Sequence, residues 1–595
     1  MMKYARILIS LIAACFLLGS MIYLITTPYE EVHASTSNIN SSIVVTTEKD
    51  ELKDDGECSL REAIKAANEN ISVDACVAGN GALTDTVSFN FAGIITVTSQ
   101  LSVTAGGPLM IDGGDVITTS GGGTTRVWWL DAGSDLTIKG LAVVNGLSNK
   151  GAGLFSTAVN LLIINSKFNN NHANDAGGGI YNENNLTIID THFSDNWAAG
   201  GAEPLGGGIY NLGSMSILNS TFTGNEAEFY GGAITNSSNN TGTLTISKSL
   251  FSENSAVRLG GAIYNWSNYP MEITDSTFYG NQADWGGVIA NQWDGSMMVE
   301  NCTFTDNTAF WGGVIVNENE FFITHSTFND NDAHQVSVIE TGGDMEIAYS
   351  VFSGNSGEDV GTIENTGDLY ISSSYFADNF VAGVGAGILN LGILTITSST
   401  IYSNTAIEEG GGILNNYELN MINSTISGNS ASIGGGIYNY GTSIITNTTI
   451  AENRATSGYA GGLYSNISGY SYLSNTIIAK SLESTDCDGK IFDYGNNLDS
   501  DGTCDLDLAN SSLLNTDPIL GPLQNNGGPT LTHPLLEGSP AIDAADNSHC
   551  PATDQRGSKR PYDGNHDMVA DCDIGSYEFG SWPNVIYLPI VNRLP

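Results

Sequence analysis

Short runs of alternating apolar and polar residues fill most of this chain. Met345–Ile347 and Leu369–Ile371 are two of them, and a period of two is typical of β-strands. Clusters of Gly, Asn, Ser and Asp separate the runs every few residues, as tight turns require. No segment between residues 90 and 480 has the apolar stripe of an amphipathic helix. The pattern predicts an all-β protein built from short strands and turns.

The alternation is itself repeated, through a Phe-x-x-Asn step followed by a Gly-Gly step. Three successive 24-residue intervals separate the phenylalanines from Phe304 to Phe376, and Ile takes the Phe place late in the chain. A period in this range is typical of a stacked solenoid. Strands stack about 4.8 Å apart, so about twelve coils predict a rod of about 60 Å. The Phe place is occupied by Phe168, Phe193, Phe222, Phe251, Phe278, Phe304, Phe328, Phe352, Phe376, Ile401, Ile426 and Ile450.

Stacking explains which residues repeat. Equivalent positions lie above one another, so we expect the Phe rings to form one inward stack and the Asn side chains an amide ladder in the adjacent turn. The Gly-Gly pair permits a positive φ and close backbone approach at a corner. The expected ladder comprises Asn225, Asn254, Asn281, Asn307, Asn331, Asn355 and Asn379.

The paired motif resembles the polymorphic outer membrane protein repeat, through Phe-x-x-Asn together with Gly231-Gly-Ala-Ile234 and Gly260-Gly-Ala-Ile263. The resemblance covers about residues 160 to 480. It implies a right-handed, single-stranded parallel β-helix of the pectate lyase type. We place this solenoid at residues 91–480, with a disulfide-closed end at 481–515.

The N-terminal segment has the features of an export signal. Lys3 and Arg6 precede an apolar run from Ile7 to Ile25, and a small-residue cleavage site ends at Ala34. The run is also long enough for an uncleaved anchor, so residues 1–34 are a signal peptide or a signal anchor. Either reading implies export to the cell surface, the outer envelope or the medium.

Export permits disulfides, and six of the eight cysteines form three local pairs. By proximity we expect Cys58 with Cys76, Cys487 with Cys504, and Cys550 with Cys572, while Cys302 is expected buried and unpaired.

Ser59 and Glu62 form a capping box at the start of the only clear helix. The string Cys58-Ser-Leu-Arg-Glu-Ala63 looks like the domain named after that motif, and we expect residues 35–90 to cap the solenoid.

The C-terminal region differs from the repeats. Asn526-Gly-Gly-Pro-Thr530 and Cys572-Asp-Ile-Gly-Ser-Tyr-Glu578 belong to a stretch similar to the choice-of-anchor Q domain, which we place at residues 516–580 as a small disulfide-bonded domain. Residues 581–595 form a tail. Only 16 residues follow Phe579, so we expect no transmembrane barrel of the chain's own.

The net charge of the chain limits which classes of partner it can bind. The chain has 19 Lys and Arg against 64 Asp and Glu, a formal net charge of −45. Phosphate binding needs basic side chains, so we expect no nucleic-acid partner, whereas an acidic surface favours the binding of cations. The residue before the Gly-Gly corner is Tyr230, Leu259, Trp285 and Trp311 in successive coils, and Trp266 and Trp293 lie just past their corners. These side chains predict an outward ladder for a glycan or a surface protein, or rings that only pack on each other.

Two further hypotheses concern chemistry. Parallel β-helices also include polysaccharide lyases and glycoside hydrolases, but residues 90–480 contain only three Arg and no Asn-Thr-Asp, Gly-His-Gly or Arg-Ile-Lys motif. We therefore expect a non-enzymatic, adhesin-like or envelope protein, with an enzyme acting on acidic polysaccharide as the alternative.

A calcium site in the C-terminal domain is weighed against a solvated acidic turn. Its expected ligands are Asp563, Asn565, Asp567, Val569 (through its carbonyl), Asp571 and Asp573.

Overall fold

A computed structural model describes residues 41–583 except 105, 238–241, 293–294 and 336–337. The expected signal segment 1–34 and residues 584–595 of the tail lie outside the described residues. In the described part the chain is a parallel β-solenoid, with one α-helix, α1 (Leu60–Glu69), and one 3-10 helix (Leu508–Asn510). No helix there has the length and apolar character that a membrane crossing needs.

The described strands form three parallel sheets of 34, 13 and 16 strands, which we name A, B and C. Most coils give two strands to A, a short one to B and one to C. One coil consists of Met271–Thr274 and Thr277–Tyr279 in A, Gln282–Ala283 in B and Ile289–Gln292 in C. Each strand pairs in register with its equivalent one coil later, as Phe278 does with Phe304. The sheets run from Ser41–Val45 to Leu513–Leu514 in A, Leu147–Lys150 to Arg454–Ala455 in B and Leu101–Val103 to Cys487–Gly489 in C.

The rod is longer than the motif count predicts. Sheet C has 16 strands, one for each coil, against the expected twelve or so. The difference arises where the motif changes but the register does not: Val143 pairs with Phe168, and Ile478 pairs with Ile450. Parallel pairing also extends beyond residues 91 and 480, because Ser41–Val45 pairs with Asp85–Phe89 and Leu463–Ser465 pairs with Cys487–Gly489.

The core has the predicted stack. Nine Phe rings from Phe168 to Phe376 are fully buried, with successive centroids 4.5–5.0 Å apart and ring planes within 13° of parallel. Ile401, Ile426 and Ile450 continue the column in register. Burying a Phe side chain contributes about 1.5–3 kcal/mol, so this column is a major source of stability.

Two Asn ladders run beside the core, one predicted and one not. In the first, from Asn171 to Asn453, each Nδ2 donates to the Oδ1 of the next coil at 2.8–3.0 Å. The second begins at Asn182 and ends at Asn439, with Thr341 at one rung. Both ladders satisfy buried amides that would otherwise destabilise the core.

The N-terminal end is covered by α1. Ser59 and Glu62 form the expected capping box, and Leu60, Ala63 and Ile64 are buried against the first coils. The helix ends at Asn70, which adopts the left-handed conformation. An open stack would expose apolar side chains and unpaired strand edges at this end, and α1 covers them.

The structure forms the three disulfides Cys58–Cys76, Cys487–Cys504 and Cys550–Cys572, with Cα separations of 5.0, 4.7 and 6.5 Å. Cys302 is buried and free. Burial raises the pKa of its thiol to about 12. That thiol is therefore protonated at neutral pH, which makes it a core side chain instead of a nucleophile.

Residues 516–583, here the C-terminal module, fold back onto sheet A. Leu535, Ala541 and Ile574 pack against Ile477 and neighbouring core residues of the last coils. Polar contacts extend the interface along the rod; their residue pairs are Gln555 with Thr425 (2.6 Å), His533 with Ser427 (2.9 Å) and Thr553 with Asn423 (2.7 Å). The module is thus a covering element of the solenoid's C-terminal half.

Candidate functional site

The corner before the Gly-Gly step positions the predicted ladder. Leu205, Tyr230, Leu259 and Trp285 are joined coil to coil by parallel bridges. The glycine that follows adopts a positive φ, 67° at Gly260, where an added Cβ would meet the Ile263 carbonyl at 2.2 Å. Only glycine fits at this corner, because a side chain there would collide with the backbone.

The regular ladder ends at Trp285. The amides of Phe310, Trp311 and Gly312 all point at the Asp284 carbonyl, with N···O distances of 3.1, 2.8 and 3.3 Å. This tight turn places the Trp311 ring edge-on to Phe310, with centroids 4.8 Å apart and planes at 79°. Coplanarity of the Trp285 and Trp311 rings stays a prediction, whereas the contact of the Trp311 ring with Phe310 is edge-on.

The predicted residues divide into packed and exposed groups. Tyr230 stacks on Tyr264 at 4.8 Å, and both pack with Leu259. Trp285 is 50% exposed, Trp311 44% and Trp266 40%. Trp293 lies outside the described residues. The early part of the ladder is thus packing, and the Trp285–Trp311 part is available to a ligand.

Sequence reasoning missed an acidic row beside these rings. Glu340 and Glu364 pair in register on sheet C, following Val316, and Glu318 lies close enough to act on Glu340. Burial and the Glu364 and Glu318 charges raise the pKa of Glu340, and burial raises that of Glu364. The 24-residue spacing that locates the Phe column also places residues 316, 340 and 364 on one row, so the signal was present in the sequence.

Rings and acids meet at Gly312. A Cβ added there would lie 2.5 Å from Trp285 Cδ1 and 3.1 Å from Glu340 Oε2. The indole and the carboxylate are therefore close neighbours over a bare backbone position. We name this surface the mid-rod patch; it comprises Trp285, Phe310, Trp311, Glu318, Glu340 and Glu364. It offers aromatic faces and edges beside negative charge.

A second aromatic row has a different character. Trp129, Phe155, Tyr181 and Tyr210 stack face to face on sheet C, with centroids 4.4–5.1 Å apart. Arg126 lies over the Trp129 ring at 4.9 Å. Because these faces cover each other, the row has only ring edges for a ligand, and we assign it to packing.

The expected calcium turn uses its oxygens locally. The Asp567 N–H donates to Asp563 Oδ1 (3.2 Å) and to Asn565 Oδ1 (2.9 Å), and the Val569 N–H donates to Asp567 Oδ1 (2.8 Å). These are the bonds of a self-supporting acidic turn. Calcium binding there stays a prediction.

The last two expected ligands have partners elsewhere. Asp571 Oδ1 accepts from Asn547 at 2.6 Å. Asp573 is fully buried and accepts from the Asp543 N–H at 2.8 Å. Burial, followed by the Glu578 charge, raises the Asp573 pKa to about 8. Asp573 thus belongs to the interior of the C-terminal module.

Among the described residues, one group of three acids brings ligand atoms within 4.8 Å of one another: Asp486, Asp499 and Asp501. Burial raises the Asp499 pKa to about 6. However, Asp486 Oδ2 accepts from Ser500 Oγ at 2.6 Å, and Asp499 Oδ2 accepts from the Cys504 N–H at 2.8 Å. These bonds give the group a structural role beside the disulfide that closes the solenoid end.

Comparison with known families agrees with the repeat architecture. The model of the Chlamydia polymorphic membrane protein repeat matches residues 165–183 and 248–265. Each matched segment spans one Phe-x-x-Asn step and the following corner. No curated protein gives a significant match. The chain therefore contains repeats similar to those of the Chlamydia polymorphic membrane protein family.

Proposed function

We propose that this protein is an exported, non-enzymatic β-helix of the cell surface or outer envelope, adhesin-like in function, that binds a glycan or a surface protein through the mid-rod patch. The observation that carries the proposal is the half-exposure of Trp285 and Trp311 on a rod whose other regular aromatic columns are buried or stacked. Exposed Trp side chains are common binding anchors.

Several features support a surface location. The repeat is similar to that of a family whose name describes its members as membrane proteins. The three disulfides suit an oxidising compartment. The similarity of the N-terminal helix and of residues 516–580 to domains of secreted and surface-associated proteins points the same way.

The test measures binding of the full chain to a glycan array and to intact cells. Trp285→Ala combined with Trp311→Ala should abolish binding and leave Tm nearly unchanged. Trp197→Ala is the matched control, because Trp197 is 44% exposed but stacks on His172 in sheet B, away from the patch. Equal loss in the control, or a large drop in Tm for the double variant, would show that the patch rings are packing.

The enzyme alternative is tested in the same samples. Released reducing ends or unsaturated uronates from acidic polysaccharide would establish cleavage. The neighbouring carboxyl groups of Glu340 and Glu364 are the pair to replace in that event, because glycoside hydrolysis needs two carboxyl groups. We expect no product above the level of the Glu340→Gln variant.

A further inference from the structure

The mid-rod patch has a chemistry that points to one class of partner. We infer that it docks a basic segment of a protein, whose Lys and Arg side chains lie against its rings and pair with its carboxylates. This inference rests on the proposed function and specifies its ligand.

Charge is the first argument. From Leu259 to Asn453 the sequence contains no Lys or Arg, while acidic residues occur throughout. Within the described part of the chain, no basic side chain forms an ion pair with Glu318, Glu340 or Glu364. Arg258, just before this stretch, has its guanidinium over the Phe229 ring. His334 pairs with Glu358. A cationic partner can therefore pair with the three patch carboxylates.

Geometry is the second argument. Trp285 Cδ1 and Glu340 Oε2 both lie within 3.1 Å of the Cβ position of Gly312. A guanidinium or ammonium group over the indole is thus within reach of the carboxylate, which combines a cation–π contact with an ion pair. Phe310 and Trp311, set at 79°, give a second aromatic corner one coil later.

Burial of the acids supports the same reading. The pKa of Glu340 is raised by burial and by its acidic neighbours, so the ionised form is held at a cost. A bound cation removes that cost, whereas a neutral ligand would desolvate the carboxylates further without pairing them. Arg and Trp are also the side chains most enriched among interface anchors. A basic protein segment therefore fits better than a neutral glycan.

The experiment measures fluorescence anisotropy of labelled octaarginine, octalysine and octaglutamate with the full chain at physiological salt. The patch variant is Glu318→Gln, Glu340→Gln and Glu364→Gln together. The matched control is Glu272→Gln, Glu300→Gln and Glu346→Gln, which removes the same charge from sheet A nearby. We expect the patch variant to weaken octaarginine binding at least about tenfold and the control to change it less than about twofold.

Each other outcome overturns the inference. Equal weakening by both triple variants would show attraction to the general field of the rod. Tighter binding of a chitosan hexamer than of octaarginine would assign the patch to an amino-sugar glycan. Retained cell binding by the Glu triple, with loss in the Trp285→Ala and Trp311→Ala variant, would leave the proposed function standing and remove this inference alone.

Discussion

At one repeat position of sheet A, Thr residues occur both in the middle of the rod and in its C-terminal half, and they differ in burial. Thr303 and Thr327 are half-buried in the middle, whereas Thr425 and Thr449 are fully buried. All four lie on one register column, joined coil to coil through Val351, Tyr375 and Thr400. The difference comes from the C-terminal module, which covers the later coils only.

The two regions also differ in how charge is balanced. The module brings Arg556 and Arg560 to the covered half, where they pair with Asp554 (2.7 Å) and Glu578 (3.0 Å) out of solvent. Asp554 and Glu578 are themselves module residues, so these two ion pairs are internal to the module. In the described middle coils His334 pairs with Glu358 at 3.0 Å, and the patch carboxylates have no such pair. The module thus covers the later coils, and the coils that hold the mid-rod patch stay uncovered.

The largest expected effect concerns what both regions share, the core column. Phe304→Ala should lower the free energy of unfolding by about 3–5 kcal/mol, because it leaves a cavity between two stacked rings. Chemical denaturation measures it. Phe322→Ala is the control, since Phe322 is 37% exposed and should cost far less. Similar costs for both would contradict the register of the column.

A matched pair of substitutions tests the comparison directly. Thr425→Val removes a hydroxyl bonded to Gln555 at 2.6 Å and leaves that buried amide oxygen short of a partner, so it should cost about 1–3 kcal/mol. Thr327→Val, at the same column position without the module, should change stability by less than about 0.5 kcal/mol. Equal effects in thermal and denaturant unfolding would argue against docking of the module.

Calcium should stabilise the C-terminal module more than the middle of the rod, by a smaller free energy than the substitutions above. If the Asp563–Asp567 turn binds calcium with a Kd of about 1 mM, 2 mM calcium should stabilise the module by about 0.6 kcal/mol and leave the middle of the rod unchanged. Hydrogen exchange of the full chain resolves the two regions. An unchanged exchange rate in the module, or the same shift in an Asp563→Ala, Asp567→Ala variant, would exclude the site.

The smallest effect is a pH dependence confined to the covered half. His533 is buried, bonded to Ser427 Oγ (2.9 Å) and to the Gly521 carbonyl (2.8 Å), and burial lowers its pKa. The unfolded chain therefore binds a proton more readily near its ordinary pKa of about 6.5, so the His533 contribution is present above that pH and is lost as pH falls below it.

The measurement follows module unfolding by hydrogen exchange from pH 7.5 to 5 in wild type and His533→Gln. The variant should lose stability less steeply on acidification, and exchange in the Phe304–Phe376 coils should be the same in both proteins. A parallel pH response of wild type and variant would show that His533 does not contribute to the docking.

The sequence alone determined the repeating features of this protein. The Phe column, the first Asn ladder, the Gly corner and the capping box all follow from local spacing, because stacked coils place equivalent residues in contact. The second Asn ladder and the row of residues 316, 340 and 364 have the same periodicity and were readable in principle. Coils in which Val143 or Ile478 replaces Phe were missed because the motif had changed while the register had not.

Only the tertiary structure decided what happens where the repeat is broken or covered. The turn around the Asp284 carbonyl sets Trp311 edge-on to Phe310, and Glu340 comes to lie beside Trp285 over Gly312. Burial of Thr425 but not Thr327 depends on a module more than a hundred residues away in sequence. Contacts between equivalent residues of successive coils produce a periodic sequence pattern, whereas contacts between non-equivalent residues do not. The mid-rod patch and the interface of the C-terminal module with sheet A therefore become visible only in the folded chain.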